Sequence, residues 1–220
     1  MSFDITIFAL LHVLVFVYWL GGDLGAFYTS RFLTEPGVSP ERRLLAAKIV
    51  GDVDMAPRTA LILALPTGLV LALSKGWIDG PLWWGWLALG IGLVWLTIAW
   101  KLHFAHGSNS LINRVDLAIR WVLALALLGA GVASLQGALI LPVFISLKLI
   151  LLAAAILMGL YIRITLKPLG PALAGLSGTN AAGAEASLAH TLNRARPLVI
   201  AIWVFLLSAA LLGLWTPSTL

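Results

Sequence analysis

The stretch Leu139–Leu166, LILPVFISLKLILLAAAILMGLYIRITL, decides the fold. From Leu139 to Ile162 its one charged residue is Lys148, and the run exceeds the roughly 20 apolar residues that a helix needs to cross bilayer hydrocarbon. Five more such runs occur, at about Ile5–Phe27, Ala56–Ser74, Leu82–Leu102, Leu117–Leu135 and Pro197–Trp215. Lipid-facing strands would alternate apolar and polar residues, and these runs do not. The expected fold is therefore all-α, a polytopic bundle of about six transmembrane helices forming one integral membrane domain over residues 1–220.

Composition agrees. The chain is 61% hydrophobic and 10% charged, with a mean hydropathy of +1.02. A soluble domain carries about a quarter charged residues, and so apolar a chain cannot cover a globule with polar surface, so its solvent is expected to be lipid. The net charge of +5 does not point to nucleic acid, because the basic residues sit in short loops between apolar runs. With no cysteine, thiol chemistry, disulfides, iron–sulfur clusters and c-type haem attachment are excluded. Met1-Ser2-Phe3-Asp4 lacks the positive charge that opens a secretory signal, so the first run is expected to stay as a span.

Charge asymmetry sets the expected topology. The loops after the first, third and fifth runs hold Arg31, Arg42, Arg43, Lys48 and Arg58, then Arg114 and Arg120, then Arg163, Lys167, Arg194 and Arg196. The opposite side offers essentially Lys75. By the positive-inside rule those loops are cytoplasmic and both termini lie outside a bacterial-type inner membrane. Trp77, Trp83, Trp84, Trp86 and Trp215 form an outer aromatic belt, with Trp100 and Trp121 at the inner one. Ser39-Pro40-Glu41 reads as a helix start before the second span, and Pro57 and Pro66 are expected to kink that span. Residues 170–194 read as a Gly/Ala/Ser-rich cytoplasmic loop with one short helix near Ala182–Asn193.

Ionisable groups inside spans are costly and mark function by default. His12 lies about seven residues into the first run and Lys148 about nine into the fifth, both entered from the outer side, so both fall about 10–14 Å deep. They are expected to face one cavity. A structural role for His12, hydrogen-bonded to a neighbouring helix, is the competing reading. At the inner boundary Asp23 is expected to pair with Arg58, Arg120 or another arginine of that rim. His103 and His106, spaced i, i+3, are a secondary metal candidate, although histidine near a helix C-terminus is also favoured by the dipole.

Several stretches carry a family likeness. Leu11-His12-Val13, Trp19-Leu20-Gly21-Gly22, Phe27-Tyr28 and Arg31-Phe32-Leu33 are followed by Arg42-Arg43-Leu44 before the second span. Leu147-Lys148-Leu149 runs on to Gly159-Leu160-Tyr161 and Arg163, and Asn193-Arg194-Ala195-Arg196-Pro197 opens the last span. Taken in order, these resemble the HemJ-type protoporphyrinogen oxidases and the related CopD-like membrane proteins. The resemblance covers four of the six runs; residues 82–135 have no counterpart, and Ala195 and Arg196 stand where HemJ has an acidic residue. It implies a b-type haem with His12 as iron ligand and with Lys148, Arg194 and Arg196 as cofactor-binding cations. Met55, Met158 and Lys148 are the candidates for a sixth iron ligand.

The resulting expectation is an integral membrane oxidoreductase that holds haem b and passes electrons between a small hydrophobic or porphyrin-like donor and a quinone or partner subunit. A CopD-like metal transporter is the first alternative, disfavoured because copper(I) prefers thiolate and thioether ligands and the chain has no Cys and only three Met. A non-catalytic membrane anchor for a dehydrogenase, in a homo-oligomer or with a partner subunit, is the second.

Overall fold

The computed structural model describes residues 3–105 and 110–216. Among the described residues the secondary structure is helical, with no strand. Eight α-helices follow in order: α1 (Phe3–Thr29), α2 (Pro40–Val53), α3 (Met55–Ser74), α4 (Trp83–Phe104), α5 (Ser110–Leu135), α6 (Val143–Thr165), α7 (Leu169–Gly175) and α8 (Ala181–Trp215), with a 3-10 turn at Ser30–Leu33. Six of the helical rods are long and apolar enough to cross a membrane, one for each apolar run, and the chain is a multi-pass membrane protein. Large apolar side chains such as Val13, Val17, Leu87, Ile91, Val94, Val122, Leu125, Leu207 and Leu211 are exposed on the bundle. That is the pattern of a lipid-facing surface.

The packing forms two three-helix layers. In one, α3 lies between α1 and α4; in the other, α6 lies between α5 and α8. A shared core of Trp19, Ala60, Ile62, Trp95, Ala124, Ala153, Ile156 and Ile202 joins them. Apolar burial does not drive association between helices within lipid, so close backbone approach does much of the work. A Cβ on Gly22 would stand 2.5 Å from the Pro57 ring, and one on Gly131 would stand 2.8 Å from the carbonyl oxygen of Ser146. These glycines let α1 lie against α3 and α5 against α6.

The expected loop over 170–194 is mostly helical. The short helix predicted near Ala182–Asn193 exists, but it is the first half of α8 and continues unbroken through Pro197 into the sixth span. Asn180 starts it by accepting a hydrogen bond from the Gly183 N–H at 3.2 Å. Leu188 and Leu192 then bury against α7 and α2, beside Ala172, Leu176, Leu33 and Ala46. Arg43 of α2 is buried against the same layer, with Nη1 2.9 Å from Glu185 Oε1 and Nη2 donating to the Glu35 carbonyl. The helices therefore extend beyond the apolar runs into a small cap at the end rich in Arg and Lys, the basic end of the bundle.

Pro66 sits inside α3, which carries on through it, while Pro57 falls in the first turn of α3, where a missing N–H costs nothing.

Candidate functional site

His12 and Lys148 share one half of the bundle. They lie on α1 and α6, within electrostatic range of each other, in the half of the bundle away from the basic end. Three small or hydroxylated residues shape their surroundings. A Cβ on Gly68 would meet His12 Cε1 at 3.0 Å, so the imidazole lies flat on α3 where a side chain is missing. A Cβ on Gly213 would stand 2.9 Å from Lys148 Nζ, so the ammonium rests on α8 in the same manner. Thr67, which is buried, sits with its Oγ1 2.9 Å from His12 Nδ1.

The Thr67 contact favours one nitrogen of His12 as the free one. Thr67 Oγ1 donates to the Leu63 carbonyl at 2.7 Å, a local bond back along α3. A hydroxyl has one proton, so toward His12 it presents a lone pair and must accept. Nδ1 therefore carries the hydrogen and donates it, and Nε2 is left as a bare imine nitrogen. A histidine that ligates a metal through one nitrogen while donating its other N–H to a fixed acceptor has this arrangement. Thr67 reads in sequence as one more neutral residue in an apolar run; only the α1–α3 contact discloses its role.

Lys148 has no carboxylate beside it among the described residues, and the other charge it senses is Lys75, also cationic. Lys75 sits at the end of α3 away from the basic end, its Nζ 4.4 Å from the centre of the Trp77 ring. Trp77 stands edge-on to Phe144, one turn from Lys148 on α6. An ammonium at membrane depth with no counter-ion calls for an anionic group on whatever binds there.

An imine nitrogen and a cation are the kinds of group that a haem's iron and carboxylates call for. The remaining cofactor-binding expectations need correction. Gly213 marks the depth of Lys148, and Arg196 lies seventeen residues before it on the same helix, about 25 Å away. Arg194 is farther still. Neither reaches a group held by His12, and Arg196 instead donates to Asn193 Oδ1 at 3.3 Å. Met55, at the first residue of α3, is twelve residues from Thr67, about 18 Å, and Met158 is ten residues from Lys148, about 15 Å. Both are too deep to be a sixth ligand.

The basic end is also wired differently from expectation. Asp23 pairs with neither Arg58 nor Arg120. Its carboxylate takes a hydrogen bond from Trp19 and lies near Asp54, while its Oδ2 is buried with no partner among the described residues. Arg58 is held by Asp54 one turn away, Nε to Oδ2 at 2.7 Å, because both stand at the start of α3. His103 Nε2 lies 3.2 Å from Asp52 Oδ1, which ties the end of α4 to α2. His106 lies outside the described residues. Among those described, no three His, Cys, Asp or Glu side chains gather into a metal site.

Arg120 belongs to a cluster centred on Asp116, the buried carboxylate that sequence reading passed over. Asp116 Oδ1 accepts from Trp95 Nε1 at 2.9 Å and Arg120 Nη2 at 3.2 Å; Oδ2 accepts from Arg120 Nε at 3.0 Å and Arg163 Nη1 at 3.3 Å. Arg163 also donates to Asn113 Oδ1. One carboxylate thereby fastens α4, α5 and α6. The available signal was an Asp–Arg pair at i, i+4 inside the apolar periodicity of α5.

No family model matches the chain, and neither a curated protein nor a solved structure was found that matches it.

Proposed function

We propose that this chain is a membrane haem-b-binding redox protein in which His12 Nε2 is the iron ligand and Lys148 faces a propionate. The observation that carries the reading is the Nε2 of His12, left free by the Thr67 contact at Nδ1 and standing within electrostatic range of an ammonium that has no counter-ion among the described residues. When bound, haem b supplies a one-electron couple. The chain's part is to orient the imidazole through Thr67, to keep apolar walls around the group, and to offset carboxylate charge with Lys148. The HemJ-like stretches around His12 and Lys148 support the same reading. The electron donor would be a small hydrophobic or porphyrin-like molecule, and the acceptor a quinone or partner subunit.

Thr67 provides the test. Thr67→Val keeps the shape and removes the acceptor, leaving the His12 N–H unpaired at a cost of about 1–3 kcal/mol. Expressed with haem available, Thr67→Val should hold roughly tenfold or more less haem than wild type, and Thr67→Ser should restore it. Equal haem content in wild type and Thr67→Val would remove Thr67 from the site and weaken the tautomer argument behind it.

We further propose that the basic end faces the cytoplasm of a bacterial inner membrane, with both termini outside, on the strength of the loop charges. An alkaline phosphatase fusion after Leu220 should be active and one near Gly178 inactive. The reverse pattern would invert the orientation.

A further inference from the structure

The Asp116 cluster has an imbalance that its fastening role does not need. Two guanidiniums share one carboxylate, and among the described residues no other acid pairs with either of them. The four lone-pair positions of Asp116 are taken by Trp95, Arg120 and Arg163, so it can accept nothing more. Each guanidinium has five N–H donors, and among the described residues neither uses them all: Arg120 keeps Nη1, and Arg163 keeps Nε. The cluster is therefore a preformed pair of forks carrying one uncompensated positive charge.

Its location decides what can reach it. Asp116 lies six residues into α5 and Arg163 two residues before the end of α6, so both are within about 10 Å of the basic end of their helices. In a membrane that end of the helices would meet the headgroups. The side chain of Asp116 is 4% exposed and that of Arg120 is 12%, but that of Arg163 is 41% exposed. The cluster is closed toward the core and open on its Arg163 edge. Guanidinium forks match the geometry of phosphate oxygens, and Asp116 holds both in place in advance.

We propose that Arg120 and Arg163, braced by Asp116, form a phosphate-binding site at the basic end of the bundle, which takes the headgroup phosphate of a phospholipid from the adjacent leaflet. The site is independent of the haem reading. Bound there, a phosphodiester would neutralise the excess charge and fill the unused donors.

The test uses the full chain purified in a neutral detergent and titrated with phosphatidylglycerol, with thermal unfolding or native mass spectrometry as the readout. Arg163→Gln leaves Asp116 paired with Arg120, so it should fold. It should weaken phosphatidylglycerol binding about tenfold, with Arg163→Lys in between. Arg31→Gln alters another basic-end arginine, one stacked on Tyr28 outside the cluster, and should change nothing. Saturable lipid binding that inorganic phosphate competes with, and that Arg163→Gln selectively loses, bears the proposal out. Saturable binding of inorganic phosphate with no gain from the lipid upholds the phosphate site and overturns the lipid as its source. Equal lipid affinity in wild type and Arg163→Gln, or no saturable binding of either probe, overturns the site itself.

Discussion

Asp116→Ala should destabilise the protein by about 3–5 kcal/mol, the cost of removing one partner from a buried ion pair. The mechanism is specific. Without the carboxylate, Arg120 and Arg163 face each other at the edge of the hydrocarbon, and the Trp95 N–H loses its acceptor. Three helices lose their common tie. Unfolding of the detergent-solubilised variant, by heat or by titration with a denaturing detergent, should move well below wild type, and yield should fall with it. Asp116→Asn keeps one acceptor oxygen and should lose less. Wild-type stability in Asp116→Ala would reduce the cluster to a solvated rim.

Lys148→Met should act with the opposite sign on stability. An unpartnered lysine inside a span costs roughly 2–3 kcal/mol near the bilayer centre and less toward the interface. Methionine follows the same path over Gly213 without the charge. The ligand-free variant should therefore be more stable than wild type by about 1–2 kcal/mol, while it holds a propionate-bearing group less tightly. A gain in stability together with a loss in binding identifies a residue kept for its ligand. A loss of stability would show that Lys148 has a structural partner.

Hydropathy made the architecture legible because a membrane span is a composition before it is a conformation. The runs around Val15, Leu93, Leu125 and Leu152 each became a helix. The cap was not legible in the same way. Residues 170–194 read as a loop with one short helix near Ala182–Asn193, yet that helix is the start of a longer one, because Asn180 starts the turn, Leu188 and Leu192 find a small core of their own, and the helix runs on through Pro197. Part of that core, Leu33 and Ala46, comes from residues distant in sequence.

The site divides similarly. His12 and Lys148 were readable because each breaks an apolar run, and helical rise placed them at one depth. Thr67 breaks nothing, so its influence on the His12 tautomer depends on packing that only the folded α1–α3 pair reveals. Asp116 was passed over because its partners Trp95 and Arg163 lie 21 and 47 residues away. The same distance effect misassigned Asp23, for which an arginine seemed necessary and a tryptophan was supplied. Arg194 and Arg196 show the converse, since motif order suggested nearness that helix length rules out.

The central claim is that His12 Nε2 binds haem iron, and the absorption spectrum of the purified protein tests it most directly. Wild type, expressed with haem available and then reduced, should show a Soret band and the visible bands of a b-type haem, with an extractable, non-covalent pyridine haemochrome. His12→Ala removes the one histidine at that depth and should abolish those bands while the protein stays folded. No Soret band in wild type, or an undiminished one in folded His12→Ala, would contradict the account.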